Sequence, residues 1–143
     1  MDAPDRLTAE VITLFAKITD RYNREYETAS AQHGITPQQV KVLLALDEPL
    51  PMRRIAERVG ADPSNLTGMV DRLQGRGLVE RVPDPADRRI KRIAATEAGR
   101  ATAQDLRARL RFASDPLVAL DPAQRRGLRD LLQLMVESPG PGA

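Results

Sequence analysis

Leu50-Pro-Met-Arg-Arg-Ile-Ala-Glu-Arg-Val-Gly60, followed by Ala61-Asp-Pro-Ser-Asn-Leu-Thr-Gly-Met-Val-Asp-Arg-Leu73, is the stretch from which the fold is read. Ile55 and Val59 lie four apart on a short helix, and Gly60, without a Cβ, can end it cheaply. Asp62 then occupies the place of an N-cap, and Pro63 the first helical position, where a missing N–H costs nothing. Leu66, Val70 and Leu73 follow at spacings of four and three as one apolar stripe. Two helices joined by a tight glycine turn predict a helix-turn-helix, whose second helix is shaped to enter a DNA major groove.

Working outward, Gly75 and Gly77 close the second helix, and Leu78–Val82 reads as a strand. Pro83-Asp-Pro-Ala-Asp87 is a turn by composition, since proline fixes φ and aspartate bonds its own backbone. Ile90–Ala95 returns as the second strand. A basic-tipped hairpin behind a helix-turn-helix makes a winged helix.

Ala61-Asp-Pro-Ser-Asn-Leu-Thr, Val70-Asp-Arg-Leu73, Arg76-Gly-Leu-Val79, the turn Asp84-Pro-Ala-Asp-Arg-Arg89 and Thr96-Glu-Ala-Gly99 together resemble the MarR family of bacterial transcription regulators. The Asp-Arg-Arg of the wing with the downstream Thr-Glu-Ala-Gly is the most specific part. The resemblance extends over most of the chain, because the flanking helices fit in number, length and order. It implies a mainly α protein, a winged helix-turn-helix with a two- to three-stranded wing, flanked by N- and C-terminal dimerisation helices.

Length favours one domain, 1–143, containing a DNA-binding unit at 35–95 and dimerisation helices at 5–31 and 96–137. With 41% hydrophobic and 29% charged residues the chain has the composition of a folded globule. No apolar run approaches the ~18 residues of a membrane span, and the start, Met1-Asp-Ala-Pro-Asp-Arg6, lacks a signal-peptide pattern. A cytoplasmic location without membrane contact is expected. The absence of cysteine excludes disulfides and thiolate metal sites, and no metal or cofactor is expected. Net charge is only +2, but residues 53–92 hold ten Lys/Arg against six Asp/Glu, while the remainder holds twelve against fourteen. The positive excess therefore falls on the helix-turn-helix and wing, as a phosphate-binding surface requires.

Leu7, Val11, Leu14, Phe15, Ile18, Tyr22 and Tyr26 recur at helical spacing, predicting a long amphipathic helix from Asp5 to Ala31 that Gly34 ends. Such a helix needs a second layer, and a partner subunit could supply it. Thr36, Pro37 and Gln39 form a capping box with Ile35 stapled on Val40, and Val40, Leu43, Leu44 and Leu46 make a buried face. After the wing, Thr96 caps a helix carrying Ala101, Leu106, Leu110 and Phe112, which Ser114-Asp-Pro116 interrupts. Asp121, Pro122 and Gln124 begin the last helix, striped by Leu128, Leu131, Leu132, Met135 and Val136, and Ser138–Ala143 is a frayed tail. The family resemblance places Leu7, Val11, Leu14, Leu117, Leu128, Leu131, Leu132 and Met135 in a two-fold dimer interface. That dimer would present two recognition helices to a pseudo-palindrome.

On a helical wheel with Leu66, Val70 and Leu73 inward, Ser64, Gly68, Asp71 and Gly75 face out. Asn65 and Arg72 lie on one shoulder and Thr67 on the other. Ser64, Asn65 and Thr67 occupy the first turn, where base edges are read, although Ser and Asn also simply favour a helix start. Gly68 stands where family members often carry a larger, basic side chain. At the wing tip, the resemblance puts Arg89 in the minor groove, with Arg88 beside it and Asp87 supporting the wing through a nearby arginine. A narrow minor groove does attract guanidinium, whereas a charge run on a turn is by itself only a solvated one. Arg53, Arg54, Arg72, Arg76, Lys91 and Arg92 are candidate phosphate contacts. Ala95, where the family commonly has Leu, is expected to loosen the wing.

The family's usual small-molecule site would lie between the dimerisation helices and the winged helix, with Tyr22, Tyr26 and His33 as candidates to line it. Tyrosines at helical spacing are also ordinary core-margin residues. The reading that emerges is a homodimeric, sequence-specific regulator of double-stranded DNA, a repressor released by an effector. The alternative is a winged-helix protein-interaction module. An enzyme is not expected, since one His, no Cys and no phosphate loop leave no catalytic constellation.

Overall fold

The structure is a computed structural model that describes residues 3–140, so the last three residues of the expected frayed tail lie outside it. Helix α1 (Arg6–His33) starts at Asp5, whose carboxylate accepts from the Thr8 amide at 2.7 Å. It stops at Gly34, which takes the left-handed φ of 64°. Helix α2 (Pro37–Leu44) has the reciprocal capping box: Thr36 Oγ1 accepts from Gln39 N, and Gln39 Oε1 accepts from Thr36 N. Strand β1 (Leu50–Pro51), helix α3 (Met52–Val59), helix α4 (Pro63–Gly75), strands β2 (Val79–Pro83) and β3 (Lys91–Ala95), and helices α5 (Glu97–Arg109) and α6 (Pro122–Glu137) complete the order.

The fold is the mainly α winged helix-turn-helix that the sequence implies. The sheet is antiparallel in the order β1-β3-β2, with Leu50 opposite Ile93 and Val79 opposite Ala95. One core unites the winged helix with the C-terminal end of α1. Leu43, Ile55, Leu66, Val70, Leu73, Ile93 and Leu106 are all fully buried there, joined by Tyr26 and Ala29 from α1.

The sheet has three strands, within the two to three expected, the third a two-residue pairing at Leu50–Pro51 too short to carry a β pattern of its own. One detail differs from the sequence reading. Helix α5 ends at Arg109, before the Ser114-Asp-Pro116 stop. Leu110 turns into the core at 1% exposure, and Glu25 of α1 accepts the Phe112 and Ala113 amides at 2.8 and 3.0 Å. A carboxylate 87 residues away satisfies the backbone that another helical turn would have satisfied.

The start of α5 shows why Thr96-Glu-Ala-Gly99 has its composition. Thr96 Oγ1 accepts the Gly99 amide at 3.0 Å and donates to the Gly77 carbonyl at 2.6 Å. The Thr96 amide donates to Leu78 O. A Cβ on Gly99 would lie 1.9 Å from that same Leu78 oxygen, so only glycine lets α5 pack flush on the chain entering the wing.

Outside this body the chain is uncovered. Leu7, Val11, Ile12, Leu14, Phe15 and Ile18 on α1 are all exposed. Among the described residues of α6 none is buried, and Leu131, Leu134, Met135 and Val136 face solvent. Leu117, Leu128 and Leu132 are half-buried. An open apolar groove of about 640 Å³ runs between Val11, Ile12 and Phe15 of α1 and Met135 of α6.

Candidate nucleic-acid interface

Helix α4 is presented by its own caps and stripe. Asp62 accepts from both the amide and the hydroxyl of Ser64, at 3.0 and 2.8 Å, and these bonds hold its carboxyl below the usual range. Leu66, Val70 and Leu73 are wholly buried, which leaves Ser64, Asn65, Thr67, Gly68, Asp71 and Arg72 on the exposed side. Ser64 points its hydroxyl proton at Asp62 and keeps lone pairs free to accept. The space around Gly68 is open, with nothing within 4 Å of where a Cβ would stand.

The wing is a hairpin closed by residues 84–90, and Asp84 is its clamp. Its carboxylate accepts from the Ala86 and Asp87 amides at 2.7 and 3.1 Å and from Arg92 Nε at 2.8 Å. Its side chain is only 16% exposed. The Arg92 guanidinium, followed by the two amides, holds the Asp84 carboxyl below its ordinary 3.8. Asp87 pairs instead with Arg89, accepting from its backbone amide, Nε and Nη2 at 3.1 to 3.2 Å. Arg89 is 92% exposed. Ala95 is buried opposite Val79, and its carbonyl accepts from Arg100.

A depressed carboxylate stabilises the fold above its unfolded value and ceases to do so as pH falls through the folded one. The Asp84 clamp should therefore hold at neutral pH and through the ordinary aspartate range, and release only in solution more acidic than its ordinary 3.8. Backbone ¹⁵N relaxation at Ala86 and Asp87 should report greater mobility there. Unchanged relaxation in a still-folded protein would remove Asp84 from its role.

The remaining basic residues divide into two groups. Arg76 donates to the Gly34 and His33 carbonyls, both at 2.7 Å. Arg92 is held by Asp84, and Arg81 ties β2 to α4 through Asp71 at 2.7 Å and Gln74. Arg54 lies 3.9 Å from Glu57. Among the described residues, Arg53, Arg72, Arg88 and Lys91 have no carboxylate partner within an ion-pair distance. The sequence alone makes Arg76 and Arg92 equal candidates with Arg53, Arg54, Arg72 and Lys91. The turn signal of Asp84 was legible, but a partner eight residues away was not.

Tyr22 and Tyr26 come together with ring centroids 5.0 Å apart. They line a cleft of about 470 Å³ with Lys41, Leu44, Asp47 and Arg58, and the Lys41 ammonium sits 5.5 and 5.1 Å from the two rings. Burial, with the neighbouring Tyr22, pushes the Tyr26 phenol above its ordinary value. His33 is not among the residues lining this cleft. Its Nε2 meets Asp105 of α5 at 2.6 Å, and Asp105 also accepts from Arg109 at 2.8 Å.

Residues 35–91 match the MarR family profile. CouR from Rhodococcus jostii RHA1, crystallised bound to p-coumaroyl-CoA, is 31% identical, with a TM-score of 0.74 over 95% of this chain and 98% of that one. The chain belongs to the MarR family. A MarR-family regulator from Rhodococcus sp. RHA1 superposes with a TM-score of 0.67 at 29% identity, covering 95% of this chain and all of that one. The transcriptional repressor NicR of Pseudomonas putida is 27% identical over 140 residues, 96% of this chain and 89% of its own. The repressor MdtR of Bacillus subtilis is 30% identical over 101 residues, 69% of this chain and 65% of its own, so that match spans just under two thirds of MdtR. NicR and MdtR are transcriptional repressors, and the Rhodococcus sp. RHA1 protein is a transcriptional regulator. Among the described residues no helix is long and apolar enough to cross a membrane.

Proposed function

We propose that this MarR-family protein is a cytoplasmic, homodimeric repressor that reads a pseudo-palindromic operator and leaves it when a small molecule binds. One observation carries the DNA reading: the polar side of α4 and the Arg88-Arg89 wing tip both project from a body whose apolar faces are otherwise packed. Ser64, Asn65 and Thr67 would meet base edges, Arg89 the minor groove, and Arg53, Arg54, Arg72 and Arg88 phosphates. Gly68 would let the helix approach closely.

The uncovered leucines of α1 and α6 support a second copy as the missing layer, since a monomer rarely exposes so continuous an apolar surface. The Tyr22–Tyr26 cleft supports the effector reading. Two aromatic rings beside an ammonium suit a ligand that is part apolar and part anionic, as is the thioester held by CouR. An effector there would lie between α1 and the winged helix, where it could bias their relative placement.

The reading is tested by incubating the protein with sheared DNA of its own genome at low and near-physiological salt and sequencing what is retained. A few fragments sharing a palindrome at the higher salt are expected. Retention only at low salt, with no shared site, would leave non-specific affinity and favour the interaction-module alternative. On the operator so found, Arg89→Ala should weaken binding by roughly 1–3 kcal/mol in a fluorescence titration. Undiminished affinity would take the wing out of the mechanism.

A further inference from the structure

We infer that Arg76, at the end of the recognition helix, is a positioning residue that acts as a strut between α4 and α1 and not through contact with DNA. The inference rests on the operator reading above and goes beyond it. Arg76 is the C-cap residue of α4. Its Nη1 and Nη2 donate to the Gly34 and His33 carbonyls, each at 2.7 Å, where α1 ends. The neighbouring carbonyls of Ser30 and Ala31 already accept from Ile35 and Gly34. The guanidinium thus satisfies two of the acceptors left over at the helix termination, the His33 and Gly34 carbonyls.

Electrostatics favours this arrangement. The C-terminal ends of α1 and α4 both carry negative partial charge, and Arg76 places a cation where they meet. Gly34 eases the fit: a Cβ on its left-handed backbone would stand 3.2 Å from Arg76 Nη1 and press the guanidinium back by a few tenths of an ångström. The planar fork matches two adjacent carbonyls as one ammonium cannot. The far side of the same junction is tied as well, because His33 is held by Asp105 of α5, itself bonded to Arg109. The recognition helix is therefore fastened at its C-terminal end to the end of α1, 42 and 43 residues away in sequence, and α1 is tied in turn to α5.

Two measurements test the strut. Wild type, Arg76→Ala and Arg76→Lys are titrated with the operator at several salt concentrations. A strut predicts that both variants bind about tenfold more weakly, the scale of one charge-assisted hydrogen bond, with the slope of log affinity against log salt unchanged. A slope lower by about one in Arg76→Ala, with Arg76→Lys restored to wild type, would show a phosphate contact and overturn the proposal. Unaltered affinity in both variants would overturn it too.

The second measurement needs no DNA. The Gly77 and Leu78 amides donate to Gln74 and Leu73 and close the end of α4. In folded Arg76→Ala their hydrogen exchange should accelerate about tenfold. Exchange at the wild-type rate would refute the strut, whatever became of the operator reading. Wild type that retained no DNA would refute only the operator reading.

Discussion

Leu131→Asp should convert the protein to a monomer at micromolar concentration. Leu131 is 61% exposed in the isolated chain and sits in the middle of the α6 stripe with Leu134 and Met135. If a second copy covers that stripe, each Leu131 contributes about 2 kcal/mol of apolar burial, and two-fold symmetry counts the loss twice. A carboxylate at the same place adds the cost of removing a charge from water. Dimer affinity should fall about a thousandfold or more. The fold of each chain should survive, because no described residue of α6 is buried. Sedimentation velocity reads the result directly. A variant that still sediments as a dimer, or a wild type that is monomeric, would remove α6 from the interface. Operator affinity should collapse with the dimer, since a single reading head meets only one half-site.

Gly99→Ala is expected to be the most damaging single methyl in the winged helix. The new carbon would stand 1.9 Å from Leu78 O and 2.9 Å from Leu78 C, and both are backbone atoms. Relief requires α5 to move off the chain between α4 and β2, which would also strain the Thr96 bonds to Gly77 and Leu78. Overpacking of this kind costs about 3 kcal/mol, or ~10 °C in Tm for a chain of this size. Thermal unfolding followed by circular dichroism would measure it. A Tm within about 2 °C of wild type would mean that the junction yields far more easily than its packing implies.

The parts of this architecture that were legible in the sequence are those decided by neighbours. Thr36 with Gln39, Asp62 with Pro63, and Asp121 with Gln124 declare helix starts within four residues, and the caps form as read. The stripe of Leu66, Val70 and Leu73 likewise contains its own geometry. The rest depended on partners that arrive from far along the chain. Nothing near Leu110 says that Glu25 will cap the backbone beyond it. Nothing near Arg76 distinguishes it from Arg72, until Gly34 is brought against one and not the other. Asp84 and Asp87 are chemically alike and three residues apart; only the hairpin register turns one toward Arg92 and leaves the other with Arg89. His33 shared with the tyrosines a place near the helix end, but its ring turns to α5.

Helix α1 has 28 residues, a rod of about 42 Å at 1.5 Å per residue. It is fixed near its C-terminal end, where Tyr26, Ala29 and the Gly34 carbonyl are gripped by the winged helix, while its other end carries the uncovered apolar side chains. This makes it a lever with its fulcrum beside the Tyr22–Tyr26 cleft. A rotation of only 5° at the fulcrum sweeps the tip at Arg6, about 27 Å away, through about 2.4 Å, more than the ~1.7 Å of axial rise in half a base-pair repeat. A ligand that wedges the cleft by a fraction of an ångström could thus put two reading heads out of phase with the DNA without unfolding either one.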